Sequence, residues 1–132
     1  MPDISGQATI LLSQDVPRAL AFWEGTLGFA IGISWGEPTS FAILRRDLAR
    51  VMIGAAAPGY SIPHVRDGRT ALWDAYFWVN DARAIFADMK ARGATFDYEL
   101  YEQEYGVLEF AVRDLDGHDI GFGEVLNQMK AP

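Results

Sequence analysis

One punctuation pattern occurs twice in this chain, and it constrains the fold more than any other feature. Asp15 stands before Val16 and Pro17, where an aspartate caps a helix and a first-turn proline sacrifices no hydrogen bond. Val16, Leu20, Trp23 and Leu27 then recur at helical spacing, and Gly28 supplies a stop. Asp81 opens a second helix of the same kind, with Ala82, Ile85, Phe86 and Met89 as its apolar stripe and Gly93 as its stop. The two caps are 66 residues apart, so the chain reads as a duplicated unit.

The segments around each helix carry the same grammar. Residues 9–12 are short and apolar, and 29–35, 40–46 and 50–55 read as strands broken at Gly36-Glu37-Pro38 and Arg46-Asp47-Leu48-Ala49. In the second half an aromatic strand, 75–79, precedes the helix, and strands follow at 95–102, 107–113 and 118–123. The last two are joined by Asp114-Leu115-Asp116-Gly117, a hairpin signal. Each half is thus strand, helix and three strands. The expected organisation is a single domain over 1–132, with a first module at 7–55 and a second at 72–126. Residues 56–71, rich in proline, glycine and charge and without a period, read as a linker loop.

Composition excludes several functions. Eighteen acids against 11 bases leave a net charge of −7, which argues against a nucleic-acid partner. The absence of cysteine removes disulfides, thiolate metal sites and a thiol nucleophile. Residues 1–71 balance six acids with six bases, whereas residues 72–132 hold 12 acids and five bases, so the second half carries the whole surplus. Met1-Pro2-Asp3-Ile4 lacks a basic region followed by an apolar run, and no apolar stretch approaches the roughly 20 residues of a membrane span. A cytoplasmic protein without a membrane partner is expected.

Several segments together resemble a known superfamily. Leu11-Leu12-Ser13-Gln14-Asp15-Val16, Ala21-Phe22-Trp23 and Thr26-Leu27-Gly28-Phe29 resemble the opening motif of the vicinal oxygen chelate superfamily, which includes glyoxalase I, extradiol dioxygenases, and fosfomycin and bleomycin resistance proteins. Glu109-Phe110-Ala111-Val112-Arg113-Asp114 with Gly117, Phe41-Ala42 with Arg46-Asp47, and Ala75-Tyr76-Phe77-Trp78-Val79 are similar to the bleomycin-resistance branch. The resemblance spans residues 7–124 and implies an α+β fold of two βαβββ modules forming a curved, cup-like mixed sheet. For the bleomycin-binding members it implies a homodimer with ligand crevices at the interface.

Enzymes of the superfamily hold a divalent metal in the cup, and the resemblance assigns the ligand positions. They fall on Ala8, Asp74 and Gly121. A methyl group and a hydrogen cannot coordinate a cation, and one carboxylate is a poor site. His64 lies in the linker and His118 in the last hairpin, and they do not rescue the site. No metal and no cofactor are therefore expected. Catalysis finds little support either: no serine stands in a nucleophile motif and no glycine-rich phosphate loop occurs. Asp114 and Asp116 read as turn residues, and Arg113 as the partner of a neighbouring acid.

The candidate binding residues are aromatic and acidic. Asp97 to Tyr105 contains four acids, no base and three of the five tyrosines. Regular alternation puts Asp97, Glu99 and Tyr101 on one face and Tyr98, Leu100 and Glu102 on the other. The run is either a solvated edge strand or part of a cation site, where carboxylates neutralise charge and ring faces attract it. Alternation also places Asp74, Tyr76 and Trp78 on one face, toward the cup if Ala75, Phe77 and Val79 pack on the helix. Trp78 is then a ligand contact or a core filler, and Met52 a pocket wall or a core filler. By resemblance, Tyr105-Gly106 matches an aromatic-glycine pair whose ring stacks on the planar part of bleomycin, and Phe41 matches a crevice aromatic; Trp35 lies on a nearby loop.

The candidate ligand-binding set is Trp35, Phe41, Met52, Asp74, Tyr76, Trp78, Glu104 and Tyr105. The reading is a metal-free binding protein of the bleomycin-resistance type that sequesters a cationic, partly planar antibiotic or metabolite, with no catalytic residue. The alternative is a metal-dependent glyoxalase, lyase or dioxygenase of the same superfamily.

Overall fold

The computed structural model describes residues 1–68 and 72–127. The chain divides into two compact units, the first Met1–Ile62 and the second beginning at Pro63.

The first unit contains β1 (Thr9–Ser13), α1 (Val16–Gly25), β2 (Ala30–Trp35), β3 (Phe41–Arg46) and β4 (Ala49–Ala55), with the sheet ordered β1-β4-β3-β2. Asp15 caps α1 by accepting the Arg18 N–H at 3.2 Å. β2, β3 and β4 form an antiparallel meander, and β1 joins β4 in parallel with Leu11 opposite Ile53. The β3–β4 turn is tight because Asp47 adopts a left-handed conformation, φ 50°, which aspartate tolerates better than most residues. Leu11, Ala42, Leu44, Val51 and Ile53 are buried on one sheet face, and Val16, Ala19, Leu20 and Trp23 are buried on the helix. Trp23 meets Phe29 edge-on at 5.0 Å.

The second unit repeats the plan. It contains α2 (Val65–Gly68), β5 (Ala75–Trp78), α3 (Ala82–Ala91), β6 (Thr95–Glu102), β7 (Val107–Arg113) and β8 (Asp119–Val125), in the sheet order β5-β8-β7-β6. Asp81 accepts the Ala84 N–H at 3.0 Å, and Glu124 accepts that of Ala82 at 2.8 Å, so two orphan donors of α3 are satisfied. The core between α3 and the sheet is phenylalanine-rich: Phe110 lies within 5.2–5.9 Å of the Phe86, Phe96 and Phe122 rings, and Phe77 packs on Phe122. The expected α+β fold of two βαβββ modules is therefore observed, as one four-stranded mixed sheet in each unit.

The expected linker needs correction. Residues 65–68 form a helical turn rather than loop, because three polar tethers hold it. Val65 N–H donates to Asp74 Oδ1 at 2.8 Å, His64 N–H to Asp67 at 2.8 Å, and Arg66 to the Gly117 carbonyl at 2.5 Å. Residues 69–71 of that segment lie outside the described residues. The Asp114–Gly117 turn is as expected: Asp114 Oδ1 accepts the N–H groups of Asp116 and His118, and Gly117 takes φ 87°. Among the described residues no helix is long and apolar enough to cross a membrane.

Candidate functional site

On β7 a single charge interrupts an apolar run. Val107, Leu108, Phe110, Ala111 and Val112 are buried, and so is Glu109, at 1% exposure. The ladder sets its neighbours: Glu109 is opposite Gly123 on β8 and Tyr101 on β6, while Tyr76 is opposite Gly121. This is the sheet face away from the phenylalanine core. Removing a carboxylate from water demands strong hydrogen bonding.

Three phenols supply it. Tyr76 donates to Glu109 Oε2 at 2.7 Å, and Tyr98 donates to Oε1 at 2.9 Å. Tyr105 lies 2.7 Å from Oε1 and 2.9 Å from Oε2. The Trp73 indole N–H donates to the Tyr98 oxygen at 2.9 Å, which orients that phenol. Burial pushes the Tyr76 phenol far above its ordinary range, and the Glu109 hydrogen bond and charge push it further. Tyr105 is raised for the same reasons. Tyr98 is raised by burial and by Glu109, against the opposing effect of the Trp73 N–H. The protons thus stay on the phenols. Among the described residues no Lys, Arg or His forms an ion pair with Glu109.

Aromatic rings cover the carboxylate. Trp73 and Tyr76 meet at 4.5 Å, and Tyr76 and Trp78 at 4.8 Å, both edge-to-face. Trp78 is 58% exposed and Tyr105 48%, so the cluster has a buried acidic floor and an open aromatic rim.

In exposure the expected alternation runs from Asp97 to Tyr101, with Tyr98 and Leu100 half-buried between exposed Asp97, Glu99 and Tyr101. The pairing with β7 is less regular, with register shifts between Phe96 and Tyr98 and between Tyr98 and Tyr101. Phe96 therefore packs against Phe86 and Phe110, whereas Tyr98, two residues on, reaches Glu109 across the opposite face. Tyr101 is laddered with Glu109 and is exposed. The bulges turn a strand that reads as two simple faces into one that delivers successive tyrosines to one side.

The other candidates separate into distinct places. Tyr76, Trp78 and Tyr105 belong to the Glu109 cluster. Asp74 does not bond with it: its oxygens accept the N–H groups of Val65 and Asp119 at 2.8 and 2.9 Å, and His64 Nδ1 stands 3.5 Å away. Glu104 is exposed in the β6–β7 turn. Trp35 and Phe41 are a cross-strand pair in the first unit, with rings 6.1 Å apart. Met52 is half-buried on β4, opposite Ile43. Arg113 pairs with Asp119 at 3.0 Å and Asp97 at 3.3 Å, the acid partnership its sequence context suggested. Glu109, Tyr98 and Trp73 are absent from the candidate set. A lone acid inside Val107–Val112 was the readable signal for the first; nothing local marks the other two.

The metal positions implied by the superfamily do not suit a metal. A Cβ on Gly121 would stand 2.5 Å from Tyr76 Cδ2 and 2.8 Å from Trp73 Cδ1, so aromatic rings fill the space of the last-strand ligand. Asp74 is engaged by backbone donors, and residue 8 is alanine. Elsewhere, Asp114, Asp116 and His118 place ligand atoms within 4.8 Å of one another, but both Asp114 oxygens already serve the turn and His118 Nδ1.

A duplicated βαβββ unit with a polar site on the sheet face defines the class. Residues 7–122 match the family model of the Glyoxalase/Bleomycin resistance protein/Dioxygenase superfamily, and the chain belongs to that superfamily. No curated protein sequence matches the chain. It is similar to the crystal structure of TioX from Micromonospora sp. ML1, at 23% identity and TM-score 0.74, over 92% of this chain and 99% of that one. It is also similar to the bleomycin-binding protein of bleomycin-producing Streptomyces verticillus, solved with copper(II)-bleomycin, at 25% identity and TM-score 0.68, over 97% and 100%. TnmS3, an antibiotic binding protein from Streptomyces sp. CB03234, gives 18% identity and TM-score 0.70, over 95% and 98%.

Proposed function

We propose that this protein is a metal-free small-molecule-binding protein that sequesters a cationic, partly planar antibiotic or metabolite. The observation that carries the reading is Glu109, a carboxylate at 1% exposure with phenols for partners and, among the described residues, no cationic side chain paired with it. An uncompensated buried charge favours a ligand of opposite sign, and ring faces add cation–π attraction of up to about 2 kcal/mol when desolvated. The exposed rings of Trp78 and Tyr105 offer stacking surface for a planar group. The similarity to bleomycin-binding and antibiotic-binding proteins supports the same reading.

No bond is made or broken in this proposal; protection comes from stoichiometric capture. A homodimer with crevices at the interface completes it, and the exposed Ile10 and Trp35 of the first unit are apolar surface that a second copy would cover. A metal-dependent lyase or dioxygenase is the poorer fit, because Ala8 and Gly121 offer no ligand atoms.

Titration of bleomycin and a panel of cationic aromatics, followed by tryptophan fluorescence and melting temperature, tests the reading. Saturable binding that Tyr105→Ala abolishes is the expected result. No response across the panel, or stoichiometric Ni, Zn, Fe or Mn in protein purified without chelator, would overturn it.

A further inference from the structure

The phenolic protons carry information about the ligand. A tyrosine hydroxyl has one proton to donate and two lone pairs with which to accept. Tyr76, Tyr98 and Tyr105 each direct that proton toward Glu109, at 2.7–2.9 Å. Tyr98 spends one lone pair on the Trp73 N–H as well. Once these bonds are made, the oxygens of Tyr76 and Tyr105 can only accept, and the carboxylate beneath them can only accept. None of the three hydroxyls has a proton left to donate to a ligand. Trp78, on the rim, joins the cluster through its ring contact with Tyr76.

This polarity is stable across ordinary pH, because burial and the adjoining carboxylate hold the phenols protonated. The Tyr76 hydroxyl lies over Gly123, in the space a side chain there would claim.

We infer that the site selects a cation bearing N–H groups, an amidinium, guanidinium or protonated amine, over a quaternary ammonium of equal charge and over any carboxylate. The inference rests on the reading that the site takes a cation, and sharpens it. Charge and ring faces attract both kinds of cation. Only an N–H cation satisfies the phenolic lone pairs that its arrival strips of water, and a polar group left unpaired at a dry contact weakens binding. A carboxylate would meet acceptors with acceptors.

The test uses the full chain and four small probes of one size: benzamidinium, phenyltrimethylammonium, benzamide and benzoate, each titrated against tryptophan fluorescence. Benzamidinium is expected to bind about tenfold to a hundredfold more tightly than phenyltrimethylammonium, with benzoate not binding. Tyr105→Phe, which keeps the ring and removes one acceptor, should pull the ratio between the two cations toward one. Glu109→Gln should do so more strongly, because an amide N–H facing the phenols turns at least one phenolic proton outward; benzamide then gains. Equal affinity for the two cations, or a ratio unmoved in Tyr105→Phe, overturns the inference and leaves the cation reading standing. Binding of neither cation, or of benzoate in preference, overturns both.

Discussion

Tyr76 and Gly121 are partners across the β5–β8 ladder, and the tyrosine ring occupies the space that a side chain at 121 would need. The same stretch of β8 repeats the arrangement at Gly123, beneath the Tyr76 hydroxyl. Glycine is required here for room, since an aromatic ring must lie flat on the sheet to reach Glu109.

Gly121→Ala should therefore destabilise the chain by about 1–3 kcal/mol, the usual penalty for overpacking. Tyr76→Ala in the same chain should recover part of that loss. Urea unfolding of the two single variants and the double variant measures the coupling; strictly additive effects would show that the ring and the glycine do not interact.

Glu109 anchors three hydroxyls. Glu109→Ala strands them in a buried setting and should lower stability by about 2–5 kcal/mol. Glu109→Gln preserves shape and one acceptor, so its loss should be smaller, about 1–3 kcal/mol. Equal losses for Ala and Gln in denaturant titrations would mean that the volume of the side chain, and not its acceptors, is what the fold uses.

The tyrosines make stability depend on alkaline pH. Folded-state values raised above the ordinary phenol value near 10 stabilise the native state fully below that pH. The contribution is lost as pH rises above 10, since the unfolded chain releases these protons first. Ultraviolet titration should show Tyr76, Tyr98 and Tyr105 ionising only with unfolding. Early ionisation of all the tyrosines in the folded protein would contradict the network.

His118 carries the opposite end of the pH range. Burial alone would lower its pKa, but the 2.8 Å hydrogen bond to Asp114 and the charge of that residue outweigh burial and raise it above 6.5. Its stabilising effect is therefore complete in acid, below the ordinary histidine value, and fades as pH rises through the elevated one. Melting temperature measured from pH 5 to 9 should fall across that window more in the parent chain than in His118→Gln. Parallel curves would remove the pair from the account.

The two aspartate caps offer a test of the repeat. Asp15→Ala and Asp81→Ala should each destabilise by about 0.5–2 kcal/mol, since each carboxylate accepts one N–H in the first turn of its helix. Thermal or denaturant melts would check it, and a neutral substitution at either position would show that backbone geometry alone starts the helix.

Local chemistry made most of the fold legible. Asp15 and Asp81, with their glycine stops, mark both helices, and the turn residues around Asp47 and Asp114–Gly117 mark two hairpins, because caps and turns act over three or four residues. The short helix at Val65–Gly68 was not legible. It is held by Asp74, nine residues beyond Val65, and by Gly117, 51 residues beyond Arg66, while its own composition reads as loop.

The site divides the same way. By itself the sequence determined that the second half is acidic and tyrosine-rich, that Tyr76 and Trp78 share a strand face, and that Gly121 cannot bind a metal. Those properties follow from composition, the period of a strand, and the absence of a side chain. Tertiary structure alone decided that Asp74 is tied to backbone donors while Glu109 sits beneath the rings. It alone brought Tyr76, Tyr98 and Tyr105 to one carboxylate, through strand register and two bulges on β6. Register is fixed by pairing between distant strands, and a one-residue shift moves a side chain to the opposite face, so the lone acid in Val107–Val112 was visible locally but the tyrosines that surround it were not.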